Sequence, residues 1–277
     1  MPWREAKVHV LTHALHYASC VFEGERVYDG RIFKLTEHSR RLVDSAKTMG
    51  FEVPYDVAAI DEACKLLVAA NTIRDGYVRP VAWRGAEMMG VSAQACRIHL
   101  AIAAWTWPAY FTPEARLKGI RMTRGIYDRP APNTAPVKSK AAGLYMICTL
   151  SKHEAEAKGY DDALMLDYRG YLAEGTGANL FLAIGGKLHT PTPDCFLDGI
   201  TRQTVIELAQ ARGYEVIERH MKPDELTRAD EVFLTGTAVE VTPVREIDEH
   251  RFEVGPITRR LIEDFDALTR RPSQQAG

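Results

Sequence analysis

Arg129-Pro-Ala-Pro-Asn-Thr-Ala-Pro-Val-Lys-Ser-Lys-Ala-Ala-Gly-Leu-Tyr145 is the stretch whose reading decides the fold, and Lys140 is its centre. Pro130, Pro132 and Pro136 fix φ and push the residue ahead of each toward extended backbone, so a rigid loop is predicted up to Val137. An apolar helical period then opens with Leu144, Ile147, Leu150 and Ser151, which predicts a helix to about Lys158. Lys140 falls where the loop meets the helix, among the small residues Ser139, Ala141, Ala142 and Gly143. An amine held there is open to a bulky carbonyl compound, as a Schiff-base lysine must be. A plain surface lysine in a first helical turn is the other reading that this stretch leaves open.

Working outward, the 277 residues are enough for two domains, and 46% hydrophobic with 26% charged residues is the balance of a globular protein. A formal net charge of -2 with both signs interspersed gives no general attraction to nucleic acid or to anionic membranes. The 5 cysteines are odd in number and none are paired at metal-ligand or redox spacing, which predicts reduced thiols in the cytoplasm. No apolar run is long enough to span a bilayer, and Arg4, Glu5 and Lys7 stand where a signal peptide would be apolar.

The element pattern is mixed α/β. Apolar residues and histidines over Val8–Leu15 predict a strand, a further run covers Cys20–Glu25, and Asp29-Gly30 breaks the run Arg26–Leu35 into a predicted hairpin. Helices are predicted from a Thr36 cap to Gly50 and over Asp56–Ala70, followed by strands at Gly76–Trp83 and Arg97–Trp105. Pro108–Gly119, with two prolines and a charged end, reads as an interdomain linker between a small domain, 1–107, and a larger one, 120–277, with 270–277 a flexible tail. In the larger domain strands are predicted near Ile120–Tyr127, Asp162–Leu166, Tyr171–Ala173, Asn179–Ile184, Tyr214–Arg219 and Glu231–Leu234. Helices are predicted from Gly199 to Gly213 and from Pro256 to Leu268.

Several motifs fail on inspection. His9, His13 and His16 would share one face of a helix but not of the predicted strand, so no metal site is expected. Gly175-Thr-Gly177 is half a dinucleotide fingerprint but runs into a strand instead of a helix. Neither a phosphate loop ending in Gly-Lys-Ser/Thr nor a Gly-x-Ser-x-Gly elbow occurs. Gly199-Ile200-Thr201 carries more, because a glycine ahead of a helix leaves N–H groups free to face an anion. Gly236-Thr237-Ala238 after a strand offers similar donors. A lysine amine, a phosphate nest and the carboxylate of Glu174 are the parts that pyridoxal phosphate chemistry uses.

These residues carry a resemblance over nearly the whole chain. Ala6–Tyr17, Val21-Phe-Glu-Gly-Glu-Arg26, Tyr77-Val-Arg-Pro80, Ala131-Pro-Asn-Thr134, Glu174-Gly-Thr-Gly-Ala-Asn-Leu-Phe181, Gly199-Ile-Thr-Arg202 and Thr235–Val244 resemble the class IV (fold type IV) pyridoxal-phosphate aminotransferases, most of all the bacterial branched-chain amino acid group. The resemblance implies a small N-terminal α/β domain and a larger C-terminal domain with a pseudo-barrel of strands and flanking helices. It implies that Lys140 carries the cofactor and shuttles the substrate Cα proton, that Glu174 pairs with the pyridine nitrogen, and that Tyr145 bonds the phenolic oxygen. Arg41, Ile200, Thr201, Thr237 and Ala238 are implied as phosphate ligands. Tyr17, Phe22, Val91, Trp107 and Tyr110 become an apolar substrate pocket, with Thr237 and Ala238 beside the substrate and Arg79 for the distal carboxylate of glutamate.

The activity so implied is transamination of L-leucine, L-isoleucine or L-valine with 2-oxoglutarate in a homodimer with shared sites. Same-fold alternatives are D-amino acid and (R)-amine aminotransferases and aminodeoxychorismate lyase. A silent, cofactor-binding scaffold is disfavoured by the retention of Lys140, Glu174 and Tyr145 together. Two departures stand out: the chain lacks the family's strand ahead of Trp3, which suggests a shortened start, and Ala142 and Leu144 replace a glycine and an asparagine.

Overall fold

A computed structural model describes residues 1–107, 110–111 and 113–270, and within it the chain divides into two compact units. Unit 1 comprises Met1–Pro108 and Pro132–Met146; unit 2 comprises Ala109–Ala131 and Ile147–Gly277. The Lys140 segment thus belongs with the N-terminal unit, whereas the sequence reading puts it in the C-terminal one. Of the expected linker, Pro108, Ala109 and Thr112 lie outside the described residues, as does the expected tail beyond Arg270.

Unit 1 is an antiparallel sheet backed by helices. Its strands are β1 (Cys20–Phe22), β2 (Glu25–Tyr28), β3 (Arg31–Ile32), β4 (Gly76–Arg84) and β5 (Ile98–Thr106), and its helices α1 (His13–Tyr17), α2 (Leu35–Thr48) and α3 (Val57–Ala70). β4 is central, with β1 and β2 on one side and β5 on the other. Alternation along β4 sends Val78 and Ala82 into a core with Leu42 and Ala46 of α2 and with Ile60, Cys64 and Val68 of α3. Tyr77, Arg79 and Val81 therefore share the opposite face. Because Phe22 pairs with Val81 while its neighbour Val21 is buried, Phe22 joins that face.

The hairpin at Asp29-Gly30 forms as expected, both residues taking positive φ (48° and 78°), the backbone a tight two-residue turn needs. Asp56 caps α3 by accepting from the Ala59 N–H at 2.8 Å. Two expectations are corrected. Thr36 does not cap α2; Lys34 stands at the N-cap with φ 53°, and the Thr36 hydroxyl instead donates to Asp61 at 2.5 Å. Val8–Leu15 is not a strand, because tertiary bonds override its β propensity: the His13 N–H donates to the Gly85 carbonyl at 2.8 Å and opens α1.

Unit 2 holds α4 (Pro113–Lys118), β6 (Ile120–Arg124), α5 (Met146–Ala157), β7 (Asp162–Leu166), β8 (Leu172–Glu174), β9 (Asn179–Ile184), β10 (Lys187–Thr190), α6 (Ile200–Ala211), β11 (Val216–Glu218), β12 (Glu231–Gly236), β13 (Glu240–Ile247), β14 (His250–Arg251) and α7 (Pro256–Thr269). Six of the strands form a ring in the order β9-β12-β13-β6-β7-β8, closed where Glu174 of β8 pairs with Asn179 of β9. This is the expected pseudo-barrel, filled by Ile120, Met122, Leu180, Leu182, Val232 and Leu234 among others. β10 and β13 went unread in the sequence: β10 is a four-residue strand just past Gly185-Gly186, and Pro243 and the charges at Glu240, Arg245 and Glu246 disguise β13. No described helix is long and apolar enough to cross a membrane.

Candidate active site

In unit 1 the face of the sheet opposite the helices carries the lysine. Val21 and Ala141 form an antiparallel bridge, the Phe22 N–H donates to the Lys140 carbonyl at 3.1 Å, and the Lys140 N–H donates to Ser45 Oγ at 3.0 Å. Ala141 packs into the core, so alternation leaves Lys140 on the Phe22 face. A short 3₁₀ turn, Ala142–Tyr145, brings Tyr145 back beside it: Lys140 Nζ lies 2.8 Å from Tyr145 Oη and 5.1 Å from the centre of the Phe22 ring. Phe22 and Tyr145 meet edge to face at 4.9 Å, walling the amine with apolar rings.

Arg79 shares this face. Its guanidinium carbon lies 4.6 Å from the Phe22 ring centre, and an Nη donates to Tyr77 Oη at 3.3 Å. Its Nε is buried with no partner among the described residues, which leaves a donor for an incoming acceptor. Trp107 packs on Tyr77 at 4.5 Å. Gly24 is obligatory here, because a Cβ on it would overlap the Tyr77 hydroxyl. Tyr17 and Val91 are exposed, and His13 contacts Tyr17 and the residue before Val91. Its ring stacks on Tyr17 at 4.5 Å and bonds Ser19 Oγ at 2.7 Å and the Gly90 carbonyl at 2.8 Å. His16 bonds the Val10 carbonyl and His9 the Leu11 N–H, so the three histidines do not converge.

Arg41 forks onto Glu23, Nε to Oε1 at 2.6 Å and an Nη to Oε2 at 2.8 Å, and His38 Nδ1 bonds the same carboxylate at 2.7 Å. Burial would raise the Glu23 pKa, but the charge and hydrogen bonds of Arg41, aided by His38, outweigh it and hold the carboxyl well below the usual range. Burial in turn lowers the His38 pKa against the pull of Glu23. Neither partner of Arg41 was singled out in the sequence; a charged residue within Phe22-Glu-Gly24 was the available signal.

In unit 2 Glu174 closes the barrel. Arg129 Nε lies 3.3 Å from its Oε1, and Asn179 Nδ2 donates to its Oε2 at 3.2 Å. Arg129, the first residue of the deciding stretch, also donates to Cys148 Sγ at 3.2 Å. The Cys148 thiol is pushed up to about 11, mainly by burial, and is inert. Gly199 is the N-cap of α6 with no side-chain cap, and the N–H groups of Ile200 and Thr201 meet no acceptor among the described residues. Such a helix start suits an anion. Arg202, 1% exposed, ties α6 down by donating to Asp198 at 2.8 Å and Glu218 at 2.6 Å. Thr237 and Ala238 lie in the turn from β12 to β13, which ends at Glu240 with φ 56°. Tyr110 is 43% exposed and packs on Phe111 at 4.9 Å.

Among the described residues, one group has metal-ligand spacing, Asp167, Asp194 and Cys195. The Arg169 guanidinium already donates to both carboxylates, at 2.6 and 2.9 Å, and fills that place with positive charge.

The family model of the class IV aminotransferases matches residues 20–247. The branched-chain-amino-acid aminotransferase of Pseudomonas aeruginosa is 42% identical over 94% of this chain and 87% of its own length. That of Escherichia coli K12 is 41% identical over 96% and 89%. Among solved structures, the T.th. branched-chain amino acid aminotransferase with pyridoxamine 5'-phosphate superposes with a TM-score of 0.94 at 43% identity, covering 98% of this chain and 92% of that one. The Escherichia coli enzyme gives a TM-score of 0.94 at 39% identity, covering 100% and 94%. A lysine amine walled by aromatic rings, a buried carboxylate and an uncapped helix start, on a chain that matches these proteins over most of its length, make it a member of the class IV aminotransferases, akin to the bacterial branched-chain enzymes.

Proposed function

We propose that this aminotransferase moves the amino group of L-leucine, L-isoleucine or L-valine to 2-oxoglutarate, giving the branched-chain 2-oxo acid and L-glutamate, and that it does so with pyridoxal phosphate. The observation that carries the reading is the Lys140 amine, held at 2.8 Å from Tyr145 Oη against the Phe22 ring. The polar groups fit the cofactor: uncapped N–H donors at Ile200 and Thr201 for a phosphate, and the Glu174 carboxylate as acceptor for a pyridine N–H. When bound, the cofactor supplies an electron-withdrawing ring conjugated to the substrate nitrogen.

The protein's own residues do the rest. Lys140 Nζ would take the proton from the substrate Cα and hold it for delivery to the carbon that receives it. Tyr145 Oη fixes the amine by hydrogen bonding, and Glu174, held by Arg129 and Asn179, would accept a hydrogen bond from a proton on the ring nitrogen. Thr237 and Ala238 lend donors from the β12–β13 turn, and Arg41 lends its charge from beside Glu23. Phe22, Trp107, Tyr110, Tyr17 and Val91 supply apolar surface for a branched side chain. Arg79, with its unpartnered Nε, takes the second carboxylate of glutamate. The exposure of Tyr17 and of Val91, 45% and 88%, supports a homodimer in which each copy completes its neighbour's pocket. We place the enzyme in the cytoplasm on the strength of its reduced cysteines.

The test is the visible spectrum of the purified, pyridoxal-phosphate-loaded protein on separate additions of L-leucine, D-alanine and (R)-1-phenylethylamine. Bleaching by L-leucine alone, reversed by 2-oxoglutarate, is expected, and Lys140→Ala should never show the starting band. Bleaching chiefly by D-alanine or the amine refutes the substrate assignment.

A further inference from the structure

The carboxylate of Glu174 and the start of α6 are joined by one side chain. Asn179 is 4% exposed, and its amide is fully engaged. Nδ2 donates to Glu174 Oε2 at 3.2 Å and to the Leu197 carbonyl at 3.0 Å, and Oδ1 accepts from the Gly199 N–H at 3.1 Å. A backbone carbonyl on one side and a backbone N–H on the other leave a single orientation for the amide, so neither end can be flipped. The backbone of Asn179 is pinned as well, since it pairs with Glu174 of β8 and Thr235 of β12 where the barrel closes. Gly199 is shaped to this contact, because a Cβ there would overlap Asn179 Oδ1.

We propose that Asn179 is a positioning residue that couples the Glu174 carboxylate to the anion-binding N–H groups of Ile200 and Thr201, setting the distance between the acidic and the phosphate ends of one ligand. The proposal rests on the pyridoxal phosphate reading, in which that ligand is the cofactor. One amide group touches both the Glu174 carboxylate and the Gly199 N–H, and Gly199 has no capping side chain of its own. A movement of the α6 start would therefore reach Glu174 through this amide.

The experiment compares wild type with Asn179→Ala and the isosteric Asn179→Asp by two readouts. One is the pH midpoint of the cofactor's absorption change in loaded protein. The other is the affinity of the cofactor-free protein for inorganic phosphate by calorimetry. Asn179→Asp puts a second negative charge beside Glu174 and favours the protonated form of the bound chromophore, so its midpoint should rise by about 0.5 pH unit or more. Asn179→Ala should weaken phosphate binding about tenfold, the cost typical of losing a partner that orients a ligand-binding group. A purely structural amide would lower the melting temperature and move neither readout, and that result overturns the proposal. A shift in only one readout confines Asn179 to one end and overturns the coupling. Should Asn179→Ala fail to fold, an unmoved midpoint in Asn179→Asp overturns it alone. Wild-type protein that shows no absorption band refutes the cofactor reading instead, and the phosphate comparison then still decides the role of Asn179.

Discussion

Replacing Glu25 with leucine should make the protein more stable at neutral pH. Glu25 lies on β2, fully buried, and neither of its carboxyl oxygens finds a hydrogen-bond partner among the described residues. Burial raises its pKa well above the usual range, the negative charges of Glu23 and Asp61 raise it further, and Arg41 opposes them. After burial itself, the charges of Glu25 and Asp61 push up the Cys64 thiol on α3. Since the folded pKa exceeds the unfolded one, the unfolded state gives up its proton first as pH rises. Glu25 therefore costs no ionisation energy below the unfolded pKa, and its cost grows with pH until the raised folded value is passed. Even when protonated, a buried carboxyl without partners costs about 1–3 kcal/mol, which leucine removes at similar volume. For a chain of this size that is a rise of about 2–6 °C in melting temperature. The assay is thermal melting of wild type, Glu25→Gln and Glu25→Leu at pH 5 and pH 8. The gain from leucine should be larger at pH 8, and glutamine should remove the pH dependence with a smaller gain. A Glu25→Leu protein that melts below wild type at pH 8, or a difference identical at the two pH values, would show that this carboxyl is satisfied by a hydrogen-bond partner after all.

Other expectations follow from the site. Gly199→Ala forces a Cβ into Asn179 Oδ1, so it should weaken phosphate binding to cofactor-free protein several-fold and lower the melting temperature; unaltered phosphate affinity would count against the α6 start as the anion site. Arg79→Ala should lower kcat/KM for glutamate and 2-oxoglutarate by about 10- to 100-fold, the worth of a charged hydrogen bond, and for leucine far less, whereas equal losses would remove its assigned role. Glu240 sits at φ 56° while pairing with Arg116 at 3.5 Å and Arg270 at 3.6 Å. Glycine there loses the ion pairs but relieves about 1 kcal/mol of backbone strain, so Glu240→Gly should melt above Glu240→Ala; the reverse order would show the strain to be negligible.

Much of this was legible in the sequence because the deciding signals are local. Asp29-Gly30 acts through its own backbone and Asp56 through a side-chain cap three residues on, and the helix starts at Ile200 and Pro256 announce themselves through Gly199 and the proline itself. Lys140 was legible for the same reason, a lysine among small residues where prolines give way to a helical period. What escaped reading depends on partners distant along the chain. The His13 ring turns a β-prone segment into α1 through Ser19 and Gly90, and Glu23 matters only because α2 brings Arg41 and His38 to it. Asn179 stood in a quoted motif and was passed over, since nothing in its neighbours predicts that one amide would meet both Glu174 and Gly199. β13 was hidden by Pro243, which a closed barrel tolerates where an isolated strand would not.

The division of unit 1 into Met1–Pro108 and Pro132–Met146 has a consequence for synthesis on the ribosome. Lys140 is held by Phe22 and Ser45, residues made long before it, and Ala141 fills a core whose other buried members all precede it. A nascent chain that has emerged only as far as α4 carries a sheet with an open flank along Val21 and a gap where Ala141 belongs. β6, the first strand of unit 2, is made before the missing piece arrives. Completion of the N-terminal unit and immobilisation of the lysine are thus one late event, and a truncated or stalled product presents no ordered amine.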